Sequence, residues 1–328
     1  MKLASLKAGD RDGSLVVVSR DIDRYAAASR IAPTMQAALD NWQHTAPRLN
    51  ALYAQLNRGD CPDAQQLDVN ALAAPLPRAY EFVDGSAYLP HVERVRRARG
   101  AEVPETFYTD PLMYQATSAG FLGPRDPVAV VSEDYGIDFE SEIIVVTDDV
   151  PMAVTPEDAA GHIQLIGLIN DVSLRNLIPA ELAKGFGFLQ SKPRSSLSPV
   201  LVTPDELGER WRDCKVHLPL HSTLNGAFFG QPEAGVDMQF DFAELIAHAA
   251  KTRPLAAGTL VGSGTIANQD TARGASCLAE IRMLEIIADG KPSTPFMRFG
   301  DTIRIEMFDP AGKSIFGAID QRIVAHES

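Results

Sequence analysis

Glu140 and Glu142 stand two residues apart in the run IDFESEIIVV, and Asp171 follows about thirty residues on in LINDVSLRN. The run around the pair reads as a β-strand, so residues two apart share a face, and Asp138 has the same parity. Carboxylates packed side by side in a half-buried sheet need a cation or shared protons to offset their desolvation and repulsion. A hard divalent metal with oxygen ligands, Mg²⁺ or Ca²⁺, meets that need. The pair alone leaves a second reading open, a solvated strand face.

Further polar residues stand at informative places. Asp84 and His91 lie seven apart in VDGSAYLPH, Arg175 follows Asp171 by four, and Lys192 sits in LQSKPRSSLSP ahead of a strand. Gly262, Gly264 and Thr265 form a turn in VGSGTIANQD, and Glu280 falls in CLAEIRMLEII, an apolar run read as a strand. The turn is no phosphate loop, because it lacks the Lys and Ser/Thr that such a loop requires.

The elements that must carry these residues change character along the chain. Residues 1–75 open on a short strand near Leu15 to Ser19, then show helical spacing through TMQAALDNWQ and APRLNALYAQL, with Pro33 and Pro47 as expected breakers. This stretch reads as a small N-terminal domain, closed by the Pro75–Pro77 linker. Residues 76–328 are rich in short strand-like runs, among them PVAVVS, SPVLVT, NGAFFG, DTIRIEMF and SIFGAIDQRIV, punctuated by turns such as Asn225-Gly226. Two helices interrupt. One is capped by Thr155 with Pro156 next and runs toward Asn170, and the other spans about Asp241 to Lys251. On that reading Asp171 sits at a helix C-terminus, where a carboxylate opposes the macrodipole unless a cation is near. The expected class is a β-rich α+β fold, built as a mixed β-roll or barrel with the small N-terminal domain attached.

Composition narrows the function classes. The 328 residues are 45% hydrophobic and 22% charged, as in ordinary globular proteins, with a net charge of −13 from 43 acids and 30 bases. That balance argues against a nucleic-acid partner and against a polybasic membrane contact. The basic patch RVRRARG, Arg94 to Gly100, reads as a solvated helix face. The three scattered cysteines, Cys61, Cys214 and Cys277, fit a reducing compartment better than a disulfide framework. With no apolar leader at MKLASLKAGDRDGS, the expectation is a cytoplasmic protein.

Taken in order, these motifs resemble the fumarylacetoacetate hydrolase family over most of residues 75–325. That family places an Asp, a Glu-x-Glu pair on a strand, and a later Asp followed four on by Arg at its metal site. Asp84, Glu140, Glu142, Asp171 and Arg175 have that order and spacing. The resemblance implies His91 and Glu280 as a catalytic pair, Lys192 and Arg175 as oxyanion donors, and Tyr114 and Thr265 as substrate contacts. Ser263 to Ile266 matches its S-G-T-I turn, and FMRFGDTIRIE its final strand entry. One position departs: Ile178 stands where some fumarylacetoacetases have Gln.

The resemblance implies a homodimer with Mg²⁺ or Ca²⁺ that hydrolyses a carbon–carbon bond in a small 1,3-diketo acid. Fumarylacetoacetate, cleaved to fumarate and acetoacetate at the end of tyrosine and phenylalanine breakdown, is the substrate it implies first. In such a reaction His91, oriented by Glu280, would deprotonate water, while Lys192 and Arg175 would face the oxyanion. An isomerase, decarboxylase or hydratase of 2-oxo acids on the same metal site is the alternative within the family. A non-catalytic cation-binding protein is the alternative outside it.

Overall fold

The computed structural model describes every residue except 9, 99–101, 103 and 328, so the end of the basic patch lies outside the described residues. A large mixed sheet runs through the whole molecule. Its strand order is Gln65–Gln66, Arg24–Ala27, Ser14–Val18, Lys2–Leu6, Leu201–Val202, Ile163–Asn170, Ser141–Thr147, Leu260–Gly262, Phe82–Gly85 and Met113–Gln115, with Ser196–Leu197 beside Ile163–Asn170. Neighbours are antiparallel except Leu260–Gly262 against Phe82–Gly85. The path is open, and no closed barrel forms among the described residues. A second sheet joins Ala227–Gly230, Leu220–Leu224, Thr302–Met307, Ile319–Ala325 and Val128–Val130. The expected Asn225-Gly226 turn links its first two strands, both turn residues having positive φ.

The N-terminal segment supplies four strands of the large sheet and packs two helices, Met35–Leu39 and Trp42–Arg58, on it through Leu39, Leu49, Tyr53 and Leu56. Pro47 does not break the second helix, which continues through it at the loss of one backbone bond. No helix is long and apolar enough to cross a membrane among the described residues.

Two expected elements are different in kind. The helix capped by Thr155 is one turn, Pro156–Ala159, and IQLIGLIN is the strand Ile163–Asn170. A central strand buried on both faces is continuously apolar, so period alone does not separate it from a buried helix. Asp171 therefore follows a strand, and the macrodipole argument for it falls. Conversely, Glu280 lies in the first turn of a helix, Leu278–Asp289, not in a strand. The apolar run fits either period, and its length, together with an acceptor brought from a distant part of the chain to its N-terminus, selects the helix.

Candidate metal centre and cavity

Strand order builds the site. The five neighbours Ile163–Asn170, Ser141–Thr147, Leu260–Gly262, Phe82–Gly85 and Met113–Gln115 end at one side of the sheet. There they present Asp171, Glu142, Gly262, Asp84 and Tyr114. Carboxylate oxygens of Asp84, Glu142 and Asp171 lie within 4.8 Å of one another, and all three residues are buried. Gly262 pairs with Asp84 in register, and a Cβ built on it would stand 2.1 Å from Asp84 Oδ1. Only glycine leaves this carboxylate its place. Gly264 has φ +73° and donates its N–H to Asp84 Oδ1 at 3.2 Å.

Glu140 reaches the same place by another route. The run from Asp138 is not one strand: Ile137–Asp138 pairs with Ser173–Leu174 in a separate sheet, and the main strand begins at Ser141. Thr265 Oγ1 nonetheless donates to Glu140 Oε1 at 2.8 Å and lies 3.4 Å from Glu142 Oε1. The other contacts of Glu140 are cationic or hydroxylic. Arg175 Nη2 donates to it at 2.7 Å, Ser173 at 3.1 Å, and Lys192 Nζ donates to its Oε2. Lys192 also donates to Asp171 Oδ2 at 2.5 Å, and Tyr114 donates to that oxygen at 2.6 Å. Ser195, which the sequence did not single out, donates to Asp171 Oδ1 at 2.7 Å.

The electrostatics follow from this uneven sharing. Burial, then the Asp171 carboxylate, pushes the Asp84 carboxyl up from 3.8 to about 8. Burial and the neighbouring Asp84 and Glu140 hold Glu142 well above the ordinary carboxylate range. For Glu140 burial acts upward too, but Arg175 and Lys192 outweigh it and hold the group low. Lys192 is held well above its ordinary value, because Asp171 and Glu140 outweigh its burial. Glu142 Oε2 is buried with no hydrogen-bond partner. An orphan carboxylate oxygen among crowded acids is the donor set a hard divalent ion takes. Asp84, Glu142 and Asp171 therefore fit such an ion, while Glu140, an expected ligand, is ion-paired beside them.

Asp138 was expected to share the face of the Glu pair. It leaves the sheet instead and accepts from the N–H groups of Leu278 and Ala279, at 2.8 and 2.9 Å, and from Arg175 Nε at 2.8 Å. It thereby caps the helix that carries Glu280. His91, on the helix Leu89–Ala98, places Nδ1 3.5 Å from Glu280 Oε2. Arg94, one turn on, is buried and pairs with Glu280 Oε1, so it is no solvated patch residue. The buried Cys277 thiol lies with them, within 4.8 Å of the donor atoms of His91 and Glu280. Its spacing from His91 and Glu280 is metal-compatible, but Arg94 already neutralises Glu280 and burial pushes the thiol well up.

Some of these groups line a cavity of about 600 Å³. Its floor carries Glu140, Arg175, Lys192, Tyr114 and Thr265, with His91 on the wall and Ile178 apolar beside them. With a cation on the acidic cluster, the arrangement could hold an anion bearing two oxygens, with Lys192 and Arg175 to neutralise its charge and a proton carrier at His91.

The chain matches known proteins across this whole arrangement. Residues 81–324 match the family described as Fumarylacetoacetate (FAA) hydrolase C-terminal, and residues 1–78 match Fumarylacetoacetase N-terminal domain 2. The chain belongs to the fumarylacetoacetate hydrolase family. It is 29% identical over 160 residues to a 2,4-didehydro-3-deoxy-L-rhamnonate hydrolase of Sphingomonas sp. SKA58, a match covering 48% of this chain and 53% of that protein. It is 27% identical over 247 residues to the oxaloacetate tautomerase YisK of Bacillus subtilis, covering 74% of this chain and 70% of that one. The chain thus spans about half of the first relative's length. Maleylpyruvate hydrolase from Sphingobium sp. SYK-6 shares the fold at a TM-score of 0.66 and 16% identity, over 99% of this chain and 100% of that one.

Proposed function

We propose that this fumarylacetoacetate hydrolase family member is a metal-dependent enzyme of 2-oxo acids that moves a proton at the carbon beside the ketone, as a keto–enol tautomerase or isomerase. One observation carries this reading. Three buried carboxylates, one with an unpartnered oxygen, adjoin a cavity lined by Lys192, Arg175 and His91, and Lys192 donates to one of them, Asp171. A divalent ion held by Asp84, Glu142 and Asp171 would supply Lewis-acid polarisation of the two oxygens of a 2-oxo acid. Lys192 and Arg175 face the substrate carboxylate and the developing oxyanion. Tyr114 and Thr265 hold the carboxylates in place through their hydroxyls. His91 carries the proton between the enol oxygen and carbon, and Glu280, itself held by Arg94, orients the imidazole. The similarity to an oxaloacetate tautomerase supports the same reaction class.

Hydrolysis of a carbon–carbon bond in a 1,3-diketo acid, fumarylacetoacetate or an acylpyruvate, is the second reading. The His91–Glu280 approach at 3.5 Å favours it, since a carboxylate-oriented imidazole is the base that would deprotonate water. Incubation in deuterated water with Mg²⁺ or Mn²⁺ separates the two. Deuterium entering the carbon next to the ketone with the skeleton intact supports tautomerisation. Release of two acids from acylpyruvates or fumarylacetoacetate supports hydrolysis. Neither outcome with any 2-oxo or 1,3-diketo acid would leave a non-catalytic cation-binding role.

A further inference from the structure

The cavity has two unlike ends. The ionisable groups of the floor occupy one. The other, between the helices Leu89–Ala98 and Leu278–Asp289, is walled by Val92, Val95, Leu112, Met283, Ile286 and Phe296. These side chains are only partly buried or exposed, apart from Val92, so they present apolar surface to whatever enters. Its volume of about 600 Å³ falls in the range that buries most of a drug-sized ligand, about 300–1,000 Å³. A four-carbon acid chelated over the carboxylates would leave this arm unfilled.

Two cations line the arm, Arg96 and Arg282, and both are engaged. Arg96 stacks on Phe107 with its guanidinium carbon 4.6 Å from the ring centre, and it donates to the carbonyl of Glu102 at 3.2 Å. Arg282 stacks on Phe296 at 4.1 Å and donates to the carbonyl of Thr294. Held over aromatic rings and tied to backbone carbonyls, they leave no guanidinium free to pair with an entering anion.

We propose that the cavity selects 2-oxo acids whose second arm is a bulky apolar group, an alkyl chain of several carbons or an aromatic ring, over acids whose second arm ends in a carboxylate. The inference rests on the 2-oxo acid reading for the head group and adds the identity of the tail. Val95, Met283 and Ile286 are its specificity residues. Each methylene moved from water onto this wall should strengthen binding roughly four-fold until the arm is full.

Calorimetric titration of the Mn²⁺-loaded protein with pyruvate, 2-oxobutanoate, 2-oxohexanoate, 2-oxooctanoate, phenylpyruvate and 2-oxoadipate tests this without relying on turnover. Affinity should climb along the alkyl series, and 2-oxoadipate should bind about ten-fold or more weakly than 2-oxohexanoate, because its distal carboxylate is desolvated without a free partner. Met283→Trp, which fills the arm, should erase the advantage of 2-oxooctanoate over pyruvate. That ratio is read within one protein, so a general loss of stability does not mimic it. A flat alkyl series, tightest binding by 2-oxoadipate, or an unchanged ratio in Met283→Trp would overturn the proposal. Graded binding without turnover of any acid would instead sink the catalytic reading and leave the tail preference standing.

Discussion

Asp138, fully buried, accepts from Arg175 Nε at 2.8 Å, and the same carboxylate accepts the first two N–H groups of the helix bearing Glu280. One side chain thus ties the floor of the cavity to the wall opposite. Arg175 in turn holds Glu140, so the position of the Glu pair and that of the His91–Glu280 approach are set through a common residue. Asp138→Ala should destabilise the protein by about 2–4 kcal/mol, since it leaves the Arg175 guanidinium with Glu140 alone and uncaps a helix. Denaturant unfolding measures this, and a loss below about 1 kcal/mol, as from an exposed pair, would refute the coupling. Asp138→Asn keeps one acceptor and should fall between.

Metal removal gives the second prediction, with opposite signs for the two states. In the metal-free protein Asp84 and Glu142 are raised above their ordinary values, Asp84 from 3.8 to about 8. The folded state then binds more protons than the unfolded one, so stability is lost as pH rises between about 4 and 8. With excess divalent ion the protons compete with the metal, and affinity should rise over the same window. Thermal melts at pH 5.5 and 8, with chelator and with Mn²⁺, test both slopes. Chelator should lower the melting temperature most at pH 8. Glu142→Gln should abolish that difference and should stabilise the chelated protein. Equal melting temperatures with and without metal at pH 8 would rule out a tight site.

Much of this centre was legible in the sequence. Asp84, Glu140, Glu142, Asp171, Arg175, Lys192, Tyr114 and Thr265 do converge, because strands that neighbour one another end at one side of the sheet. What stayed hidden depends on partners far along the chain. The cap that Asp138 gives to Leu278 and Ala279 spans 140 and 141 residues, and no local pattern marks it. Arg94 carried a weak signal, its three-residue offset from His91 on a helix, which the surrounding basic run masked. IQLIGLIN is almost wholly apolar and buried, which erases its period, while the polar residues Glu280, Arg282 and Glu285 of CLAEIRMLEII fall at spacings that fit a short strand as well as a helix.

Removing the proton carrier is the third test. His91→Ala should lower turnover by roughly 10²–10⁴, the usual worth of a positioned acid–base group. Metal affinity should be kept, because no carboxylate of the cluster is touched. Near-normal turnover would exclude His91 from either proposed reaction.

Glu181 offers a fourth, at a distance from the reacting groups. Its carboxylate accepts from the N–H groups of Leu189, Gln190 and Ser191 at 3.1, 2.6 and 3.2 Å, and from the Ser191 hydroxyl, fixing the turn that leads into Lys192. Burial acts upward, but the hydroxyl and backbone donors outweigh it and bring the group down from 4.5 to about 2. A depressed carboxylate stabilises above its unfolded value, and that contribution is lost as pH falls from about 4.5 through about 2. Glu181→Gln should remove this acid-side slope and raise KM more than it lowers kcat, through a looser Lys192. An acid melting profile identical to the wild type would count against the clamp.

The last prediction concerns Gly262, whose missing side chain is itself part of the centre. Its φ is not in the left-handed region, so alanine meets no backbone penalty there. What an added Cβ meets is Asp84, with Oδ1 at 2.1 Å and Cγ at 3.1 Å, and next the Phe82 ring at 3.3 Å. The carboxylate is the movable member of that group, so Gly262→Ala should swing Asp84 away from Glu142 and Asp171 and break the three-oxygen cluster. In the metal-free protein this separates like charges and should cost little stability or even add some. Metal affinity should fall by roughly 10–100-fold, the usual loss when a metal site's supporting residue is changed. Titration calorimetry with Mn²⁺ on the folded variant measures it. Retention of wild-type affinity would mean that Asp84 is not a ligand, and that the ion sits on Glu142 and Asp171 with other donors.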